Sequence, residues 1–184
     1  MHINATEIKG VYTIDVDPFE DNRGWFARLY CRREFAAVGL HEDYVQVNQS
    51  VTHRKGSIRG MHYQLPPHAE VKLVRCLRGA VYDVAIDLRK GSPTFLNYYG
   101  LELSESNRRM IYIPKGFAHG FQTLTDECSL IYQHSAFYEP TAERGIRYDD
   151  PVIKIKWPLT ISDISEKDKN LIFIDRLFDG IHIL

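Results

Sequence analysis

Short runs of alternating apolar and polar residues, broken at close intervals by turn chemistry, dominate the chain. From Ala80 to Leu88 the even positions Tyr82, Val84, Ile86 and Leu88 are all apolar, whereas Val81, Asp83, Ala85 and Asp87 mix small, apolar and acidic groups. A period of two sends these sets to opposite faces of a strand. Similar strands are predicted over 11–16, 25–30, 44–51, 71–77, 95–103, 110–113 and 129–137, and a further alternating segment runs from Ile58 to the Pro66-Pro67 turn. Turn chemistry at Lys55-Gly56-Ser57, Pro66-Pro67, Lys90-Gly91-Ser92-Pro93 and Pro114-Lys115-Gly116 separates them. Helices are minor, one near 33–38 and one near 165–171 with Ser165 as its N-cap. Many short strands at near-regular spacing predict an all-β sandwich or jelly roll, not a βαβ sheet.

Composition narrows the possibilities. The 184 residues fit one domain, 1–184, with a sizeable core, and neither a repeat nor a linker divides them. A net charge of −1 argues against a chain built mainly to hold nucleic acid, although local basic clusters can still grip a diphosphate. No apolar run approaches the ~20 residues needed to cross a bilayer, so no membrane partner is expected. The N-terminal MHINATEIKG carries no apolar signal core, which predicts a cytoplasmic protein. Cys31, Cys76 and Cys128 show no CxxC or metal-like spacing, and their odd number predicts reduced thiols.

The candidate chemistry clusters in IRGMHYQLPPHAEVKLVRCLR, residues 58–78. A neutral imidazole at His62 can take a proton, and the Lys72 ammonium can stabilise the negative charge left behind. Its neighbours Val71 and Leu73 are apolar, so Lys72 points to the opposite, polar face. Further on, IPKGFAHGF sets His119 just after a Pro-x-Gly turn, and SLIYQHSAFY supplies Tyr132 and Tyr138. Asp83, opposite the apolar face of its strand, is placed to enter a polar pocket and orient His119; the competing reading is a buried carboxylate satisfied by backbone donors. Base, cation and phenol together point to proton abstraction beside a carbonyl with reprotonation elsewhere. Each residue taken alone also fits ordinary packing or hydrogen bonding.

Several blocks in order then carry a resemblance: DNRGWF (21–26), QVNQS (46–50), IRGMHYQ (58–64), KLVRC (72–76), VYDVAIDLRKGSPTF (81–95), IPKGFAHGF (113–121), the segment 132–138, KWPL (156–159) and ISEKD (164–168). Over residues 10–168 the chain resembles the dTDP-4-dehydrorhamnose 3,5-epimerase family, whose members are cupin-type jelly rolls. The resemblance implies a nucleotide-linked 4-keto-6-deoxyhexose as substrate, whose carbonyl at carbon 4 acidifies the hydrogens on carbons 3 and 5. It implies no redox cofactor. His62 matches the family's base, Asp168 the carboxylate that orients it, Lys72 the cation for the enolate oxygen and Tyr132 the acid on the opposite face; His119 and Asp83 form a second candidate pair. Arg23 and Arg59 match diphosphate clamps. Gln46 and Asn48 match polar contacts to the nucleotide, Tyr138 a ring that stacks on the base, and Glu143 and Lys167 further binding positions. A homodimer with exchanged N-terminal strands is the implied assembly.

Two features qualify the match. Metal-binding cupins carry HxH, then Glu, then a distant His; here His62-Tyr63-Gln64 and Lys72 occupy the early positions and only His119 fits, so no metal is expected. Arg28, preceded by Ala27, stands where the family usually has a Glu that contacts thymine from the neighbouring subunit. That reversal leaves the nucleotide less fixed than the epimerase chemistry. Alternatives of other kinds are an epimerase acting at one centre, a keto-isomerase, or a non-catalytic jelly roll that binds nucleotide sugars. His41, His53, His68 and His134 match no catalytic position and read as structural or surface residues.

Overall fold

The computed structural model describes residues 1–41 and 43–183. The chain opens with β1 (His2–Ala5) and β2 (Tyr12–Asp15), the small hairpin β3 (Phe19–Asp21) and β4 (Gly24–Phe26), and α1 (Arg32–Ala37). There follow β5 (Gln46–Thr52), β6 (Ser57–Gln64), β7 (Lys72–Arg78), β8 (Ala80–Asp87), β9 (Tyr98–Ser104), β10 (Met110–Ile113), β11 (Phe117–Thr123) and β12 (Cys128–His134). β13 (Glu143–Gly145), β14 (Asp163–Ile164) and α2 (Glu166–Lys169) complete the order.

One sheet runs β1-β2-β10-β7-β12-β5 and the other β13-β6-β11-β8-β9, with β14 added on β6. From β5 to β12 the chain crosses repeatedly between the sheets, giving a cupin-type jelly roll. Inward residues of both sheets share one core: Val74 and Cys76 of β7, Val81 and Ala85 of β8, Leu103 of β9, Ile111 and Ile113 of β10, Phe117 and Phe121 of β11, and Leu130 of β12. The alternation along β8 is obeyed. Its even residues Tyr82, Val84 and Ile86, with Leu88 just beyond, pack outward beneath Trp157, Ile181 and Phe178 of the C-terminal segment. The outer face of the other sheet places Ile14, Leu73, Met110 and Tyr112 under Phe35 of α1 and the neighbouring Leu40. Each large side chain buried in these layers contributes roughly 1.5–3 kcal/mol.

The predicted elements are largely present, with informative shifts. The strand expected over 25–30 stops at Phe26, where its partner β3 begins at Phe19 directly after Pro18; at the other end Asp21 accepts from the Arg23 backbone N–H at 2.8 Å and its guanidinium at 2.6 Å, closing a tight hairpin. The strand expected over 95–103 starts at Tyr98, since residues 92–97 form successive turns with Phe95 N–H bonded to Ser92 C=O and Asn97 N–H to Thr94 C=O. The one expected over 129–137 ends at His134. Strand β11 is buried at all seven positions, so it shows no alternation to detect. Both helices form where expected, and Ser165 Oγ caps α2 by accepting from Asp168 N–H at 3.1 Å. Among the described residues no helix is long and apolar enough to cross a membrane.

Candidate active site

A cavity of about 450 Å³ opens between the sheets at one end of the roll, walled by inward residues of both. Period two delivers Gln46, Asn48 and Ser50 from β5 opposite His134, Tyr132 and Leu130 of β12. Lys72 enters from β7 on the same face as Val74 and Cys76. β6 needs more than alternation, because Arg59 and His62 both line the cavity although they are an odd number of residues apart. The register explains it: His62 pairs with His119 and Arg59 with Phe121, so three steps on β6 span two on β11. Gly60 absorbs this bulge at φ +120°, where a Cβ would lie 2.6 Å from Gly120 Cα.

His62 Nε2 lies 2.7 Å from Asp168 Oδ1, although 106 residues separate them in sequence. The other oxygen, Oδ2, accepts the Gly60 N–H at 3.1 Å. Burial pushes the Asp168 carboxyl upward, but the bonds from His62, Gly60 and Ser165 outweigh it and hold the group below the usual carboxylate range. A second pair lies deeper. His119 Nε2 sits 3.0 and 2.9 Å from the two oxygens of Asp83, whose side chain is fully buried. Tyr132 meets the His119 ring edge-on and its hydroxyl pairs with Ser50 Oγ at 2.8 Å. Burial raises the phenol well above its ordinary value, against a smaller lowering from Ser50, so the proton stays on oxygen.

Lys72 Nζ pairs with Glu70 Oε1 at 3.1 Å and reaches the His62 carbonyl at 3.4 Å. At the mouth Tyr138 donates its hydroxyl to Glu143 Oε2 at 2.9 Å, and Lys167 Nζ binds the same carboxylate at 2.7 Å. Burial favours the neutral form of Glu143, but Lys167 and Tyr138 together keep it ionised below its ordinary range. Gln46 bridges Tyr138 N–H at 3.1 Å to Asn48 at 3.2 Å. Arg59 is held by Thr52 Oγ1 at 2.8 Å and Val51 C=O at 3.2 Å.

The family model for dTDP-4-dehydrorhamnose 3,5-epimerase matches residues 5–175. A dTDP-4-dehydrorhamnose 3,5-epimerase of Shigella flexneri is 45% identical over 92% of this chain and 94% of its own length. The chain belongs to the dTDP-4-dehydrorhamnose 3,5-epimerase family. The crystal structure of the Elizabethkingia anophelis epimerase superposes with a TM-score of 0.92 at 38% identity, covering 97% of this chain and 98% of that one. A Legionella pneumophila dTDP-6-deoxy-D-glucose-3,5-epimerase, solved in complex with dTDP-4-keto-L-rhamnose, gives 0.91 at 36% identity, covering all of this chain and 99% of that one.

In this epimerase-family chain most candidate residues converge. His62, Lys72, His119, Tyr132, Asp168, Gln46, Asn48, Arg59, Tyr138, Glu143 and Lys167 line one cavity, and Asp83 backs His119. Arg23 and Arg28 stand apart from it. Arg23 sits at the β3–β4 tip, in a separate concavity that exposed Phe19 and Phe26 also line from the hairpin's other end, and Arg28 pairs with Glu34 at 2.8 Å. His134, expected to be structural or on the surface, instead lines the cavity and stacks on Tyr132. Burial first and Lys72 second push its pKa down to about 4, leaving a neutral imidazole. Glu70 and Ser50 were not anticipated. Glu70 lies two residues before Lys72, so the same alternation that aims Lys72 inward was the available signal. Among the described residues no three His, Cys, Asp or Glu side chains converge as a metal site.

Proposed function

We propose that this cavity epimerises a dTDP-linked 4-keto-6-deoxyhexose at carbons 3 and 5, moving protons only. The observation that carries the reading is that a carboxylate-backed imidazole, His62, and a protonated phenol, Tyr132, reach one cavity from opposite sheets with the Lys72 ammonium beside them. His62 takes the hydrogen beside the carbonyl, and Asp168 stabilises the imidazolium that forms. The electron pair moves onto the carbonyl oxygen, where Lys72 supplies the compensating charge. Tyr132 keeps its proton until a stronger base, the enolate carbon, takes it on the opposite face; solvent then restores the phenol and strips His62. His119, fixed by Asp83, supplies a second oriented imidazole against the Tyr132 ring.

The mouth holds the nucleotide: Tyr138 as stacking platform, Arg59 and Lys167 toward the diphosphate, Gln46 and Asn48 as polar contacts, and Glu143 organising the platform. Arg23 and Arg28 reach a nucleotide only from another copy of the chain, which is the reason to propose a homodimer in which the N-terminal hairpin serves the neighbour. The dTDP-sugar ligand of the Legionella relative supports the substrate class. Incubating the protein with dTDP-4-keto-6-deoxyglucose and following the sugar by NMR tests the proposal. Inversion at both centres is expected. Inversion at one centre assigns a single-centre epimerase, and tight binding without turnover assigns a binding module.

A further inference from the structure

The mechanism above leaves unused a carboxylate that points into the cavity. Glu70 is 8% exposed and Lys72 10%, so this ion pair is largely removed from water. We infer that Glu70 is a positioning residue for the reaction, fixing the Lys72 ammonium at the enolate position and tying it through Gln64 to the segment that carries Tyr138. The inference rests on the epimerase reading.

Three observations carry it. An ammonium has three donors. Glu70 Oε1 at 3.1 Å and the His62 carbonyl at 3.4 Å take two of them, leaving the third for an oxygen in the cavity. The second Glu70 oxygen accepts from Gln64 Nε2, which is shared with the His68 carbonyl at 3.0 Å and the Phe137 carbonyl at 3.2 Å. Gln64 Oε1 in turn accepts the Glu139 N–H at 2.6 Å, so one carboxamide clamps both sides of Tyr138. Finally, the other ion-pair contact of Glu70 is weak: His134 Nδ1 lies 4.0 Å away, and burial keeps that imidazole neutral. Lys72 is thus the cation that Glu70 holds, and removing one member of a buried pair strands the other.

The test compares wild type, Glu70→Gln, Glu70→Asp, Lys72→Met and the Glu70→Gln/Lys72→Met double variant, measuring kcat, KM and thermal unfolding on dTDP-4-keto-6-deoxyglucose. Glu70→Gln is expected to lower kcat by on the order of ten- to a hundredfold with KM moved by less than about threefold. Glu70→Asp keeps the charge but loses reach, and is expected to fall in between. In the Lys72→Met background the Glu70→Gln change is expected to cost no further kcat, because the group it positions is gone. Wild-type kcat in a folded Glu70→Gln overturns the inference, as does an equal loss with and without Lys72. If Glu70→Gln does not fold, wild-type kcat in Glu70→Asp overturns it. A wild-type protein that leaves the sugar unchanged removes the epimerase reading itself, a result distinct from all of these.

Discussion

His62 and His119 sit opposite one another on β6 and β11, each bonded through Nε2 to a carboxylate, yet their surroundings differ. The His62 side chain is 31% exposed and the His119 side chain 6%. Asp168 gives His62 one oxygen and spends the other on the Gly60 N–H, arriving from α2 at the rim of the roll. Asp83 gives His119 both oxygens from the neighbouring strand β8 and has no exposed surface. The same residue pair therefore yields two devices. Under the proposed function one is an oriented base with a face open to substrate, and the other is a rigid floor element against Tyr132. Surroundings, not residue identity, decide which imidazole has a face open to the cavity.

The largest expected effect separates the two rings. His62→Asn should lower turnover by about two to four orders of magnitude, the usual loss for a general base. His119→Asn should cost only on the order of ten- to a hundredfold, as for a residue that supports a reacting group. Steady-state rates of folded variants check both, and equal losses would dissolve the distinction.

A smaller effect probes the mouth. Tyr138 is 53% exposed, and the proposed function makes it a generic stacking platform, so Tyr138→Ala should weaken dTDP by roughly 1–3 kcal/mol while kcat changes little. Calorimetric titration measures this. An unchanged affinity would move the base elsewhere.

The smallest effect concerns stability and pH. Asp168 is held below the usual carboxylate range in the folded state, so its ionised form favours folding. That contribution is complete above the ordinary carboxylate pKa and is lost as pH falls through the lowered folded value. Wild type should therefore lose stability toward acid more steeply than Asp168→Asn. Parallel melting curves against pH for the two proteins would show that the His62 partner carries no such linkage.

Much of the roll was legible because one face of a strand is wet or charged while the other is greasy. Tyr82, Val84 and Ile86 against Asp83 and Asp87 announce β8, and Ser165 announces α2 through its cap. β11 hid because its alternating sets, Phe117, His119, Phe121 and Thr123 against Ala118, Gly120 and Gln122, each mix polar residues with apolar or small ones, so neither face reads as apolar. Lys72 was aimed correctly by its apolar neighbours, and Asp83 by the apolar set behind it. The His62–Asp168 contact was beyond any local pattern, since only the chain's return past β6 through β14 and α2 brings the two together. That pairing came from the family resemblance. Glu70, and His134 read as structural or on the surface, fail for the opposite reason: each looks locally like an ordinary polar residue, and only the closed cavity gives it charged or stacked neighbours.

Hydrogen exchange in D2O tests the central claim most directly, that His62 removes the proton and Tyr132 returns one from the other side. Wild type, His62→Asn and Tyr132→Phe would each be incubated with dTDP-4-keto-6-deoxyglucose and the sugar followed by NMR at carbons 3 and 5. Wild type should place deuterium at both carbons with inversion. Tyr132→Phe should still incorporate deuterium while inversion slows far more, because His62 can return a proton to the face it came from. His62→Asn should incorporate almost none. Deuterium entering at the wild-type rate in a folded His62→Asn would contradict the account.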